Sequence, residues 1–179
     1  RNLDRKVQYS SRQGENVDAW SEGCFATLEA FFLWMAEYGE GSGSPSEEEK
    51  GTVIIRGDHT FSATLTVPTS HLQFVGDGNA VFGTTLAGFT GTRLFDLSGR
   101  TNITFRNITF IAQTEGLTAL YASGQTLTDL RVEDCTFSAV GTRWDRGVDF
   151  GNTAATGANV FITDSTFYIP TNAGGGSSH

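Results

Sequence analysis

An eight-residue pattern occurs three times in the chain, at residues 103–110 (ITFRNITF), 130–137 (LRVEDCTF) and 160–167 (VFITDSTF). Each copy reads apolar-x-apolar-x-[Asn/Asp]-x-Thr-Phe, and the Asn/Asp positions Asn107, Asp134 and Asp164 stand 27 and 30 residues apart. Self-similarity at that period marks units that stack on one another, because one unit cannot bury its apolar face alone. Alternation over the first four positions gives a strand with one face inward and one outward. The Asn or Asp that follows turns the chain, since its short polar side chain tolerates the left-handed backbone region. A helical repeat would need apolar residues three and four apart over two turns. These segments are instead rich in Thr, Ile, Val and Phe.

Stacking in parallel places Asn107, Asp134 and Asp164 in one structural turn column and Phe110, Phe137 and Phe167 in another. Further candidate strands lie between the copies, at residues 94–97, 117–121 and 147–150. Residues 72–78 (LQFVGDG) read as an earlier, degenerate copy that has lost its Phe. Residues 52–56 and 61–68 read as strand, turn and strand, ended by Pro68, which cannot donate to a ladder. At ~27–30 residues per coil, the stretch 51–170 holds about four coils.

The order of strand, Phe61, Leu65, Val67, Ser70 and residues 72–78 resembles the opening of the right-handed parallel β-helices of the pectate-lyase-like superfamily, to which phage tailspikes belong. In that group an amphipathic helix commonly caps the first coil. Here Cys24, Leu28, Phe31, Phe32 and Met35 recur at helical spacing after Ser21, a candidate N-cap. The expected fold is all-β: a short right-handed single-stranded parallel β-helix with an N-terminal capping α-helix and an extended N-terminal arm. Its divisions are the arm (1–20), capping helix and polar loop (21–50), β-helix (51–170) and a flexible C-terminal tail (171–179). Nothing after Phe167 reads as a cap, so either the chain is a piece of something longer or its open end docks on a partner.

The net charge of −8 disfavours nucleic acid as a partner, because phosphate contacts need a basic surface. The charge is uneven: Arg1, Arg5, Lys6 and Arg12 face only Asp4 within residues 1–13. Such a basic leader suits docking on another chain, or serves merely as a soluble extension. Two cysteines, Cys24 and Cys135, are too few for a disulfide framework and are expected to be reduced. No apolar run approaches ~18 residues, so no membrane insertion is expected.

Polysaccharide-cleaving members of the superfamily use grouped carboxylates on the solenoid flank. The candidates here are Arg143, Asp145, Arg146 and Asp149, with Trp144 among them as a stacking platform for a sugar ring. Asp145 and Asp149 would serve as general acid and base, a pair that glycoside hydrolysis needs at ~5–10 Å. The same residues fit a loop whose Arg and Asp pair with each other and whose Trp packs on the solenoid. The Asn-Thr-Asp, Asp-Asp and Gly-His-Gly motifs of polygalacturonases are missing, as is an acidic calcium set like that of pectate lyases. Asp134 and Asp164 with Asn107 supply too few oxygens for calcium, and His59 and His71 lack zinc-spaced partners. No metal or cofactor is expected.

Three functions stay open at this point. The first is a structural virion protein of a phage tail, baseplate or decoration layer. It would be located in the virion, or otherwise be extracellular, anchored to other virion proteins by the arm, assembled as a homotrimer and in contact with cell-surface polysaccharide. The second is a polysaccharide depolymerase, a lyase or glycoside hydrolase, or a fragment of one; the third is a glycan-binding module using Trp144 and Trp20.

Overall fold

A computed structural model describes residues 7–10, 22–38, 50–85, 88–123, 128–140, 144–150 and 159–168. The chain begins with β1 (Val7–Ser10), β2 (Glu22–Phe25) and helix α1 (Leu28–Tyr38). Four coils of three strands follow. The first holds β3 (Gly51–Ile55), β4 (Asp58–Phe61) and β5 (Ala63–Thr66). The second holds β6 (Leu72–Gly76), β7 (Val81–Thr84) and β8 (Thr90–Asp96). The third holds β9 (Thr101–Arg106), β10 (Thr109–Ala112) and β11 (Leu117–Tyr121). The fourth holds β12 (Thr128–Glu133), β13 (Thr136–Ala139) and β14 (Trp144–Asp149). A last rung has β15 (Val160–Thr163) and β16 (Thr166–Phe167).

Equivalent strands stack in parallel into three sheets: β3-β6-β9-β12-β15, β4-β7-β10-β13-β16 and β5-β8-β11-β14. This is the parallel β-solenoid expected from the repeat. Register is fixed by the alternation. Val53, Phe74, Phe105 and Val132 are paired down the first sheet and point into the core, while their neighbours Thr52, Gln73, Thr104 and Arg131 form the outward row. A slip of one residue would exchange the two rows, which is why the pairing is specified so strongly.

The core is largely aromatic. Phe110 and Phe137 stack at 4.8 Å between ring centroids with planes 5° apart, and Phe137 and Phe167 at 4.5 Å and 2°. Parallel strands ~4.8 Å apart bring like side chains to ring-stacking distance. The column continues to Phe82, paired with Phe110, and to His59, paired with Phe82. The early copy has therefore kept its Phe. Residues 77–80 lengthen the β6–β7 turn, so that Phe82 lies three positions further from its turn residue than Phe110 does from Asn107.

The first coil is closed at its open edge. β1 pairs antiparallel with β3 on one side and with β2 on the other, so residues 7–10 belong to the first sheet. Helix α1 lies over the end of the core. Tyr9 meets Phe31 at 5.2 Å, and Phe32 reaches Phe74 and Phe95 of the second coil at 6.0 and 6.5 Å. The helix starts later than the spacing suggests. Thr27, not Ser21, is its cap, accepting a hydrogen bond from the Ala30 amide at 3.1 Å. Cys24 belongs to β2, where its backbone pairs with Gln8; satisfying the edge of β1 prevails over an extra helical turn.

Candidate functional site

Two left-handed turn columns run along the flanks. Asn107, Asp134 and Asp164 have φ of 54°, 51° and 50° at the corner between the first and second sheets. The ladder runs through this corner, since Asn107 N donates to Glu133 O at 3.0 Å and Asp134 N to Thr163 O at 3.1 Å. Asn107 Nδ2 also donates to Gly76 O in the coil before, at 2.9 Å. The second column, His71, Asn102 and Asp129 at φ of 59°, 55° and 58°, enters the first sheet from the third. Asn102 Nδ2 donates to His71 Nδ1 at 3.3 Å, and Asn159 Nδ2 to Asp129 Oδ1 at 2.9 Å. The sequence reading missed this column. Its signal was there: His71, Asn102, Asp129 and Asn159 each stand five residues before Gly76, Asn107, Asp134 and Asp164.

A groove of about 270 Å³ runs along the first corner. Asp58, Asn79, Asn107, Thr109, Asp134 and Thr136 supply its polar walls. Asp58, Val81, Thr109 and Thr136 are in register across four stacked strands. Among the described residues no Lys or Arg lines it; nearby, Arg56 pairs with Asp77 and Arg106 with Glu133, both at 2.8 Å. The Arg-Gly-Asp tripeptide at 56–58 is the first turn of this corner, with Gly57 at φ 69°.

The flank of the third sheet carries the other candidates. Residues 144–149 form strand β14 rather than a loop, because Trp144, Arg146, Val148 and Asp149 pair with β11, with one register shift after Trp144. Arg146 and Asp149 form an ion pair, and Arg146 is exposed, with its pKa raised by the bond to Asp149 and further by Asp145. Asp145 is exposed. Trp144 is half-buried and packs against the core, and its indole Nε1 is buried without a hydrogen-bond partner among the described residues. Arg143, Trp20, Arg1, Arg5, Lys6 and Arg12 lie outside the described residues. In the same sheet Arg93 lies over the Tyr121 ring at 3.7 Å and bridges to Asp96 at 3.2 Å.

Among the described residues no group of three or more His, Cys, Asp or Glu side chains is placed to hold a metal ion. No described helix is long and apolar enough to cross a membrane. Both thiols are free, Cys24 exposed and Cys135 buried. Burial pushes the Cys135 thiol from 9.0 up to about 11 and the Tyr9 hydroxyl from 10.0 up to about 12. Because the folded values are the higher ones, the unfolded chain loses these protons first. Their contribution is intact below about pH 9 and is lost as pH climbs through 9 toward 12. The urea midpoint should therefore hold level to pH 9 and fall above it. A midpoint that rises over that range would contradict this burial.

The terminal rung differs from the rest. Phe161, Ile162, Phe167 and Tyr168 are 44, 43, 45 and 61% exposed. Phe167 stacks on Phe137 on one side, and neither β15 nor β16 has a strand partner beyond it among the described residues.

No protein-family model matches the chain, and no match to it is found among curated proteins or solved structures.

Proposed function

We propose that this chain is a structural virion protein: a short β-solenoid domain of a phage tail, baseplate or decoration protein, akin to the tailspikes of the pectate-lyase-like superfamily. It assembles as a homotrimer on the particle, with other virion proteins as partners of its basic arm, and turns its ridged flanks toward cell-surface polysaccharide. The observation that carries this reading is the asymmetry of the two ends. One is covered by α1, β1 and β2, whereas at the other Phe161, Ile162, Phe167 and Tyr168 are exposed and, among the described residues, β15 and β16 have a strand partner on one side only. Contiguous apolar surface rimmed by polar groups marks a protein contact, and stacked repeats offer long self-complementary surfaces.

Light scattering on the purified chain tests this. A mass three times that of the chain is expected, reverting toward the single-chain mass in a Phe161→Asp/Tyr168→Asp variant. A monomer at all concentrations would refute assembly through this rung. The flank of β14 supports the second reading, a depolymerase, because Arg146 is paired there with Asp149 and also feels the charge of Asp145. Turnover of a polysaccharide that Asp149→Asn abolishes would move the function to that class.

A further inference from the structure

Two of the four exposed apolar side chains on the last rung belong to the inside of the solenoid. Ile162 is the register partner of Val132 and Phe167 of Phe137, and both partners are buried in the core. Ile162 and Phe167 therefore extend two inward rows, and among the described residues no strand lies beyond them to bury them. Phe161 differs: it is paired with the outward-facing Arg131, whose guanidinium lies over its ring at 4.7 Å.

The backbone is open in the same place. At the two preceding turns of this corner the amide of the left-handed residue donates to the coil that follows, Asn107 N to Glu133 O and Asp134 N to Thr163 O. Asp164 holds the same left-handed turn at φ 50°, and among the described residues its amide has no such acceptor. A helix could cover the apolar side chains, but it has no free row of backbone groups to complete a strand edge. At the first coil the chain meets the two needs separately, with β1 pairing to β3 and α1 lying over the core. A strand–turn–strand unit with the chain's own pattern meets them together. It lays apolar residues on Ile162 and a ring on Phe167, as Phe167 itself lies on Phe137 at 4.5 Å.

We infer that the terminal rung is an edge for strand addition. It takes one further coil of the form apolar-x-apolar-x-[Asn/Asp]-x-Thr-Phe from a neighbouring polypeptide, in parallel register on β15 and β16. Main-chain bonds hold such a strand, and the sites for its alternate side chains select it. The inference rests on the reading of the chain as part of an assembly and names the chemistry of the partner at its open end.

A labelled peptide of residues 128–139 carrying Cys135→Ser, followed by fluorescence anisotropy, tests it on the intact chain. It should bind saturably, and its Phe137→Ala form about tenfold more weakly for want of one stacked ring. A peptide of the same composition, with Leu130 exchanged for Arg131 and Val132 for Glu133, should not bind, because its apolar residues then face outward. Amide exchange at Asp164 should slow about tenfold at saturating peptide. No binding, equal binding of the two arrangements, or bound peptide that leaves exchange at Asp164 unchanged would overturn the inference. Light scattering separates it from the assembly reading: a trimer that binds no peptide removes the strand addition alone, and a monomer that binds the peptide removes the trimer alone.

Discussion

Replacing Phe110 by alanine is expected to cost about 4 kcal/mol of stability, in the range for removing a buried aromatic ring, and to lower the melting temperature by roughly 10 °C. Phe110 is completely buried and occupies the middle of the core. Its ring lies face to face with Phe137 at 4.8 Å and meets Phe82 and Phe105 at 5.8 Å and Phe95 at 6.3 Å. The rungs are tied to one another by hydrogen-bonded ladders on both sides of β10. The backbone therefore cannot close in to fill the vacated space, and the cavity term stays large. Thermal unfolding followed by circular dichroism measures the loss. A decrease below about 1 kcal/mol would mean that the rings do not form one packed column.

Gly76→Ala should destabilise the chain by about 3 kcal/mol, the upper end of what overpacking usually costs. A Cβ built on Gly76 would lie 1.9 Å from the carbonyl oxygen of Asn107 and 2.8 Å from the Cβ of Ala80. Neither neighbour can yield easily: Asn107 is held by its bond to Gly76 O and by the ladder bond to Glu133, and Ala80, just before β7, accepts a hydrogen bond from Thr109 N at 2.9 Å. Gly78, on the same turn, is the control. Its added Cβ would meet nothing within 4 Å, so Gly78→Ala carries only the strain of a left-handed φ of 74°, roughly 1–2 kcal/mol. Equal losses at the two glycines would contradict the close contact between adjacent coils.

Much of this architecture was legible in the sequence, because a period-two strand followed by Asn or Asp leaves a mark wherever it recurs. The three full copies fixed the parallel stacking, the turn column and the Phe column together. Where the repeat is degenerate, less could be read. Residues 77–80 lengthen one turn and hide Phe82, and the column from His71 to Asp129 is chemically mixed, so that no single residue type announces it. The closing strands β1 and β2 were illegible for a different reason. They are four residues each and take their conformation from the exposed edge of β3, a tertiary cause that local patterning does not encode. Spacing placed Cys24 on the helix, yet the Thr27 cap and the pairing of β2 put it elsewhere. The corner groove could not be read because it joins Asp58 to Asp134, three coils apart, and only the register puts them on one wall.

Parallel register between coils is the claim on which the rest depends, and an engineered disulfide tests it most directly. Ile111 and Ser138 are register partners on adjacent coils, at the roughly 4.8 Å strand spacing, within the ~4.4–6.8 Å that a disulfide spans. In a Cys24→Ser background, the Ile111→Cys/Ser138→Cys variant should oxidise to a single internal bond, mapped by peptide mass, while Ile111→Cys/Ala139→Cys should stay reduced because its side chains face opposite ways. Failure of the first pair to link, or equal linking of both pairs, would contradict the stacked solenoid.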